Sequence, residues 1–117
     1  MSLNKVRILF QEAKEDLRIS CYNKCISSAY FSCRMMAEIF LRRTVEHIPR
    51  RDDKLANLLR NQKLRREADI LLFLYDMRKK ADYGDEILGK EDAEKSLIAA
   101  ESFLKSIGEK MGLSSWP

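Results

Sequence analysis

The chain has 117 residues, a mass of 13.7 kDa and a formal net charge of +4. That length fits one domain over residues 1–117, and an apolar share of 45% with Leu, Ile, Val and Phe recurring throughout argues against disorder. Four Gly and two Pro are too few for a turn-rich small β fold, and three Cys argue against a disulfide framework. No apolar run approaches the roughly 18 residues of a membrane span. The N-terminus lacks the charged-then-apolar pattern of a secretory leader, so the expected location is cytoplasmic, with no membrane partner.

Five helical segments follow from apolar spacing. The first runs from about Asn4 to Ile19, with Val6, Leu9, Phe10, Ala13 and Leu17 at i, i+3/i+4 intervals and Asn4 as N-cap candidate. The second runs from about Asn23 to Arg43, with Ile26, Ala29, Cys33, Met36, Ala37 and Phe40 as its stripe. Ser27, Ser28 and Ser32 beside that stripe let another helix approach closely, so this segment is expected at the centre. No Gly or Pro marks a break near Ser20 to Tyr22.

Thr44 to Asp53, with Pro49, reads as a loop, and Asp52 or Asp53 as a cap for a short third segment from about Lys54 to Asn61. The fourth segment spans about Lys63 to Tyr83 and is apolar over a wide arc through Ala68, Ile70, Leu71, Leu72, Leu74, Tyr75, Met77 and Ala81. Gly84 is expected to end it in the manner of a helix C-terminus. The fifth spans about Lys90 to Met111, with Ala93, Leu97, Ala100, Leu104, Ile107 and Met111 as its stripe and Glu91, Asp92 and Glu94 at its positive end. Residues 112–117 show no period and are expected to fray. The fold expected is all-α, an antiparallel bundle of four to five helices. The wide apolar arc of the fourth segment suggests a homodimer.

Charge is uneven. Residues 42–80 carry twelve basic and six acidic residues, and residues 81–117 carry four basic and eight acidic. Either the positive middle forms a surface for phosphate-rich partners, or the acidic last helix packs beside it and neutralises it.

Most catalytic constellations are missing. Cys21, Cys25 and Cys33 lack further ligands at metal spacing and read as buried thiols. His47, the sole histidine, sits in a loop beside Pro49, Arg50 and Arg51 and reads as solvated, with a proton-transfer role as the alternative. Neither GxGxxG nor GxxxxGK[ST] occurs. Tyr30, Phe31, Phe40, Phe73 and Tyr75 read as core rather than as base-stacking platforms. No cofactor or metal is implied.

Two patterns are more specific. One is Ser27-Ser28-Ala29-Tyr30-Phe31 followed by Ala37-Glu38 and preceded by Asp16-Leu17 and Tyr22; the other is Met77-Arg78-Lys79-Lys80-Ala81-Asp82-Tyr83-Gly84. In this order and separation they resemble the HEPN domain (higher eukaryotes and prokaryotes nucleotide-binding), in its small stand-alone prokaryotic and archaeal form, over roughly Val6 to Leu104. The resemblance implies a helical homodimer, often paired with a minimal nucleotidyltransferase encoded alongside, as in toxin–antitoxin modules. Some members are metal-independent ribonucleases with an Arg followed four to six residues later by His. Arg78 matches the Arg, whereas Tyr83 stands where His is expected. A phenol with pKa near 10 exchanges protons poorly at neutral pH, while Arg78 keeps its fork for phosphate. The resemblance thus implies an interaction module that binds nucleotide or RNA phosphate through Arg78, Lys79, Lys80 and Asp82. The alternatives are a ribonuclease using Arg78 and Tyr83, and a structural role in which Arg78 and Asp82 form an i, i+4 surface pair.

Overall fold

The computed structural model describes residues 2–117. Five helices follow in order: α1 (Leu3–Arg18), α2 (Tyr22–Leu41), α3 (Asp52–Asn61), α4 (Arg65–Tyr83) and α5 (Lys90–Lys110). No strand occurs among the described residues. Among the described residues no helix is long and apolar enough to cross a membrane.

α2 lies at the centre and packs against all four other helices. Ala29, Ser32, Cys33 and Ala37 on it are fully buried, and residues this small admit close neighbours. The Ser32 hydroxyl donates to Ala29 O within the helix (2.8 Å), so its burial leaves no donor unpaired. α1 returns antiparallel to α2 through a tight turn, where Ser20 takes φ +65° and Cys21 N–H donates to Asp16 O (2.7 Å). α4 is antiparallel to α2, since Ser27 meets Asp82 while Tyr30 stacks near Tyr75. α5 runs parallel to α2. The Cys25 thiol faces Ala93 O (4.0 Å) and the Cys33 thiol faces Ala100 O (3.7 Å), in matching order along both helices. α5 is antiparallel to α4, whose Arg66 donates to Ser102 and whose Glu67 accepts from Ser106 (3.1 Å).

The wide apolar arc of α4 is explained within one chain. α2, α3 and α5 all pack on it, burying Ala68, Leu71, Leu74 and Met77. It therefore supplies no argument for a second copy.

Several expectations are corrected. Ser2, not Asn4, caps α1, its Oγ accepting from Lys5 N–H (3.1 Å). α3 starts at Asp52 after Arg51 as N-cap, so neither aspartate is the cap residue. α4 begins at Arg65, because Lys63 takes φ +65° in the α3–α4 turn. Gly84 does follow α4, but with φ −83°, so no left-handed cap forms; glycine is needed because a Cβ would stand 2.9 Å from Lys80 O. The tail is docked rather than frayed, with Trp116 only 8% exposed and packed against Gly108. Phe31 (41%) and Phe73 (38%) are exposed and are not core residues.

Candidate functional site

α2 carries Ser27, Tyr30, Phe31 and Arg34 at i, i+3, i+4 and i+7, which places all four along one side of the helix. α4 carries Tyr75, Arg78 and Asp82 on the side that meets it. The two sets interlock around Arg78. Its guanidinium lies 5.1 Å from the centre of the Phe31 ring, 5.3 Å from Tyr83 and 5.6 Å from Tyr30. These are cation–π distances, and aromatic faces hold a guanidinium well because it is weakly hydrated.

Arg78 Nε stands 2.8 Å from Asp82 Oδ2 as an ion pair, although its N–H is not aimed at a carboxylate oxygen. Arg78 Nη2 donates to Tyr83 Oη (3.3 Å). The other Asp82 oxygen accepts from Ser27 Oγ (2.6 Å), which ties the end of α4 to α2. No hydrogen bond is made by Nη1 among the described residues. The Arg78 side chain is 21% exposed and that of Asp82 29%, so both are reachable from solvent but largely fixed.

Behind Tyr30 lies a second polar cluster. Tyr30 Oη donates to Asp52 Oδ1 (2.6 Å), and the same oxygen lies 3.1 Å from Arg34 Nη1. Arg34 Nη2 donates to Pro49 O (2.8 Å) and reaches Glu38 (3.4 Å). Burial, then the hydrogen bond to Asp52, pushes the Tyr30 phenol well above its ordinary range, so at neutral pH it donates and does not act as a base. Burial disfavours the charge of Arg34, and the adjacent Asp52 carboxylate more than restores it. Tyr30 thus stands between two part-buried arginines, Arg34 and Arg78.

Of the sequence-predicted site residues, the fold brings Arg78, Asp82 and Tyr83 together. Lys79 turns away, its Nζ 4.7 Å from the Tyr75 ring centre and 3.8 Å from Asp76. Lys80 is exposed and makes no contact with the cluster among the described residues. His47 is exposed in the loop before α3 and makes no hydrogen bond or ion pair there, so no imidazole joins Arg78. Beside Asp82 a shallow hollow of roughly 500 Å³ is lined by Glu12, Asp16, Lys24, Ser27 and Ser28. Its acidic side disfavours an anion approaching Arg78 from that direction.

Sequence reasoning missed Arg34 and Asp52. The i, i+3, i+4, i+7 spacing from Ser27 to Arg34 was a usable signal; the partnership of Arg34 with Asp52, across a loop, was not. The thiols are placed plainly: Cys25 and Cys33 are buried, Cys21 is half-buried, and none is paired. Burial, aided by the charge of Asp16, pushes the Cys25 thiol up to about 11. No protein-family model matches the sequence, and no curated protein matches it significantly.

Proposed function

We propose that the chain is a HEPN-like helical interaction module. In this reading it acts as a homodimer, engages a minimal nucleotidyltransferase, and holds a phosphate of nucleotide or RNA at Arg78. One observation carries the reading. The two sequence patterns on which the resemblance rests, some fifty residues apart, form a single cluster through the Ser27–Asp82 hydrogen bond and the Phe31–Arg78 stack. Arg78 is held by Asp82 and three rings, with Nη1 left for a ligand. Exposed Phe31 and Tyr83 (74% exposed) offer an aromatic surface around it, of the kind that interfaces use. Lys79 and Lys80 do not join the cluster around Arg78 and contribute only long-range charge.

The test uses wild type and Arg78→Ala with a nucleoside triphosphate in titration calorimetry and end-labelled RNA in chelator. The reading expects nucleotide affinity to fall about tenfold or more in the variant, in line with loss of one charge-assisted contact of about 1.5–3 kcal/mol. It expects no RNA cleavage by either protein. Equal nucleotide affinity in both proteins would sink it.

A second reading, a metal-independent ribonuclease, is favoured by one contact. Tyr83 Oη lies 3.3 Å from Arg78 Nη2, within reach of a phosphate held there. Cleavage in chelator that disappears in both Arg78→Ala and Tyr83→Phe would establish it. A purely structural role is favoured by the Ser27–Asp82–Arg78 tie between α2 and α4. It expects Arg78→Ala to lower stability with no change in any binding.

A further inference from the structure

The end of the bundle where α2 and α5 finish carries a concentration of positive charge separate from Arg78. Because α5 runs parallel to α2, the C-termini of both helices lie at the same end as the α3–α4 turn. A hydrogen bond from Gln62 Nε2 to Thr44 Oγ1 (2.8 Å) fastens the two loops there. Arg42, Arg43, Lys63, Arg65 and Lys110 stand at this end, and none forms an ion pair among the described residues. Nearby Arg60, by contrast, is paired with Asp69 (3.1 Å). Between α2 and α5 a hollow of roughly 330 Å³ is lined by Phe40, Arg43, Thr44, Gln62 and Lys110, with the Arg43 guanidinium 6.0 Å from the centre of the Phe40 ring.

Helix dipoles account for part of this. Arg42, Arg43 and Lys110 sit at helix C-termini, where cations are favoured. Arg65, the first residue of α4, sits at the positive end of its helix, where a cation is disfavoured. Lys63, just before it in the turn, adds to the same excess. The fold keeps these charges together at a cost in stability. Most of the acidic residues of the chain's last third lie away from them. Asp82, Asp85 and Glu86 at the end of α4 and Glu91, Asp92 and Glu94 at the start of α5 lie at the opposite pole, while Glu109, beside Lys110, lines a different groove with Phe10, Lys14 and Lys105. The twenty residues of α2 separate the poles by about 30 Å at about 1.5 Å per residue. That is several times the screening length of about 8 Å in physiological salt.

We infer that this pole binds the phosphodiester backbone of single-stranded RNA, in a place distinct from Arg78 and independent of the HEPN-like reading. Three of the five cations are arginines, whose forks fit phosphate oxygens. The hollow adds an aromatic ring under Arg43 and the neutral hydrogen-bonding groups of Thr44 and Gln62. An unpaired base can stack on such a ring and bond to such groups while its phosphates meet the cations.

The test is fluorescence anisotropy of a labelled single-stranded RNA 12-mer over a salt series, with wild type, Arg43→Ala/Lys110→Ala and Arg78→Ala. Circular dichroism confirms each fold, and Arg42→Gln/Arg65→Gln serves as a second surface pair should the first fail to fold. Wild type is expected to bind with affinity falling steeply with salt. The polar-end double variants should bind at least tenfold more weakly, with a log–log salt slope shallower by about 1.4, or about 0.7 per lost phosphate contact. Arg43→Ala/Lys110→Ala should lower the slope by the same amount when made in an Arg78→Ala background. No binding by wild type, loss confined to Arg78→Ala, or tighter binding of a labelled poly-glutamate peptide than of RNA would each overturn the inference.

Discussion

Asp52 places two partners on one oxygen, the Tyr30 hydroxyl and the Arg34 guanidinium, while being only 8% exposed. Removing it takes the nearer carboxylate from part-buried Arg34, leaving Glu38 at 3.4 Å and the Pro49 carbonyl, and also takes the acceptor from Tyr30, a larger loss than that of the Tyr30 hydroxyl alone. Asp52→Ala is expected to destabilise the fold by about 2–3 kcal/mol. Tyr30→Phe, which leaves the ion pair in place, should cost about 1–2 kcal/mol. Urea unfolding of the two variants gives the order directly, and Tyr30→Phe as the worse of the pair would show that Arg34 does not need Asp52. Surface pairs such as Glu91–Lys95 contribute little by comparison. Cys25 provides a pH-dependent signature. Its thiol keeps its proton in the folded state up to about 11, whereas the unfolded chain loses it near 9. The native state then binds more protons than the unfolded state over that window, so stability falls as pH rises through it. The urea midpoint of Cys25→Ala should decline less between pH 8 and 10 than that of wild type.

At the scale of single helices, the end of α4 depends on a bare backbone. The chain passes Gly84 so closely to Lys80 that a methyl group would stand 2.9 Å from its carbonyl oxygen. Gly84→Ala is therefore expected to lower stability by about 1–2 kcal/mol, and calorimetric melting measures it. The same substitution displaces Asp82 and Tyr83, and so loosens the Arg78 cluster. The extents of the helices were legible in the sequence because apolar residues recur with the helical period, and the central place of α2 was legible in its small residues. The turns were not. Ser20 and Lys63 adopt φ +65° although neither is Gly, so the residue types that usually announce a turn are missing where α1 meets α2 and α3 meets α4. Asp52 was read as a cap because acidic residues favour helix starts. Its role as the partner of Arg34 is set by tertiary packing between α2 and α3, which no local pattern encodes. Around Arg78, the residues on α4 were named from sequence, while the Phe31, Tyr30 and Ser27 contacts that hold it needed the α2–α4 register.

For the molecule as a whole, the two outcomes offered by the uneven charge are now separable. The acidic last helix does lie against α4, but antiparallel, so its charged start meets the end of α4 and leaves most of the basic residues at the other pole without an ion pair. Arg65 sits at the start of α4, where the helix dipole disfavours a cation. Arg65→Glu replaces a cation with an anion at a helix N-terminus and is expected to raise stability by about 0.5 kcal/mol at low ionic strength, with the gain shrinking in high salt. A stability loss at low salt would mean that Arg65 has a compensating contact.

The C-terminal docking also provides a built-in optical reporter. Trp116 is the sole tryptophan, and it is packed against Gly108 one residue from the chain's last position. Indole emission therefore reports whether the last six residues are seated on α5, while helical circular dichroism reports the bundle. Detachment of the tail would shift the emission to longer wavelength with the helical signal unchanged. A fluorescence midpoint below the dichroism midpoint in the same urea titration would thus measure local release of the tail, and coincident midpoints would show that the tail and the bundle unfold as one cooperative unit.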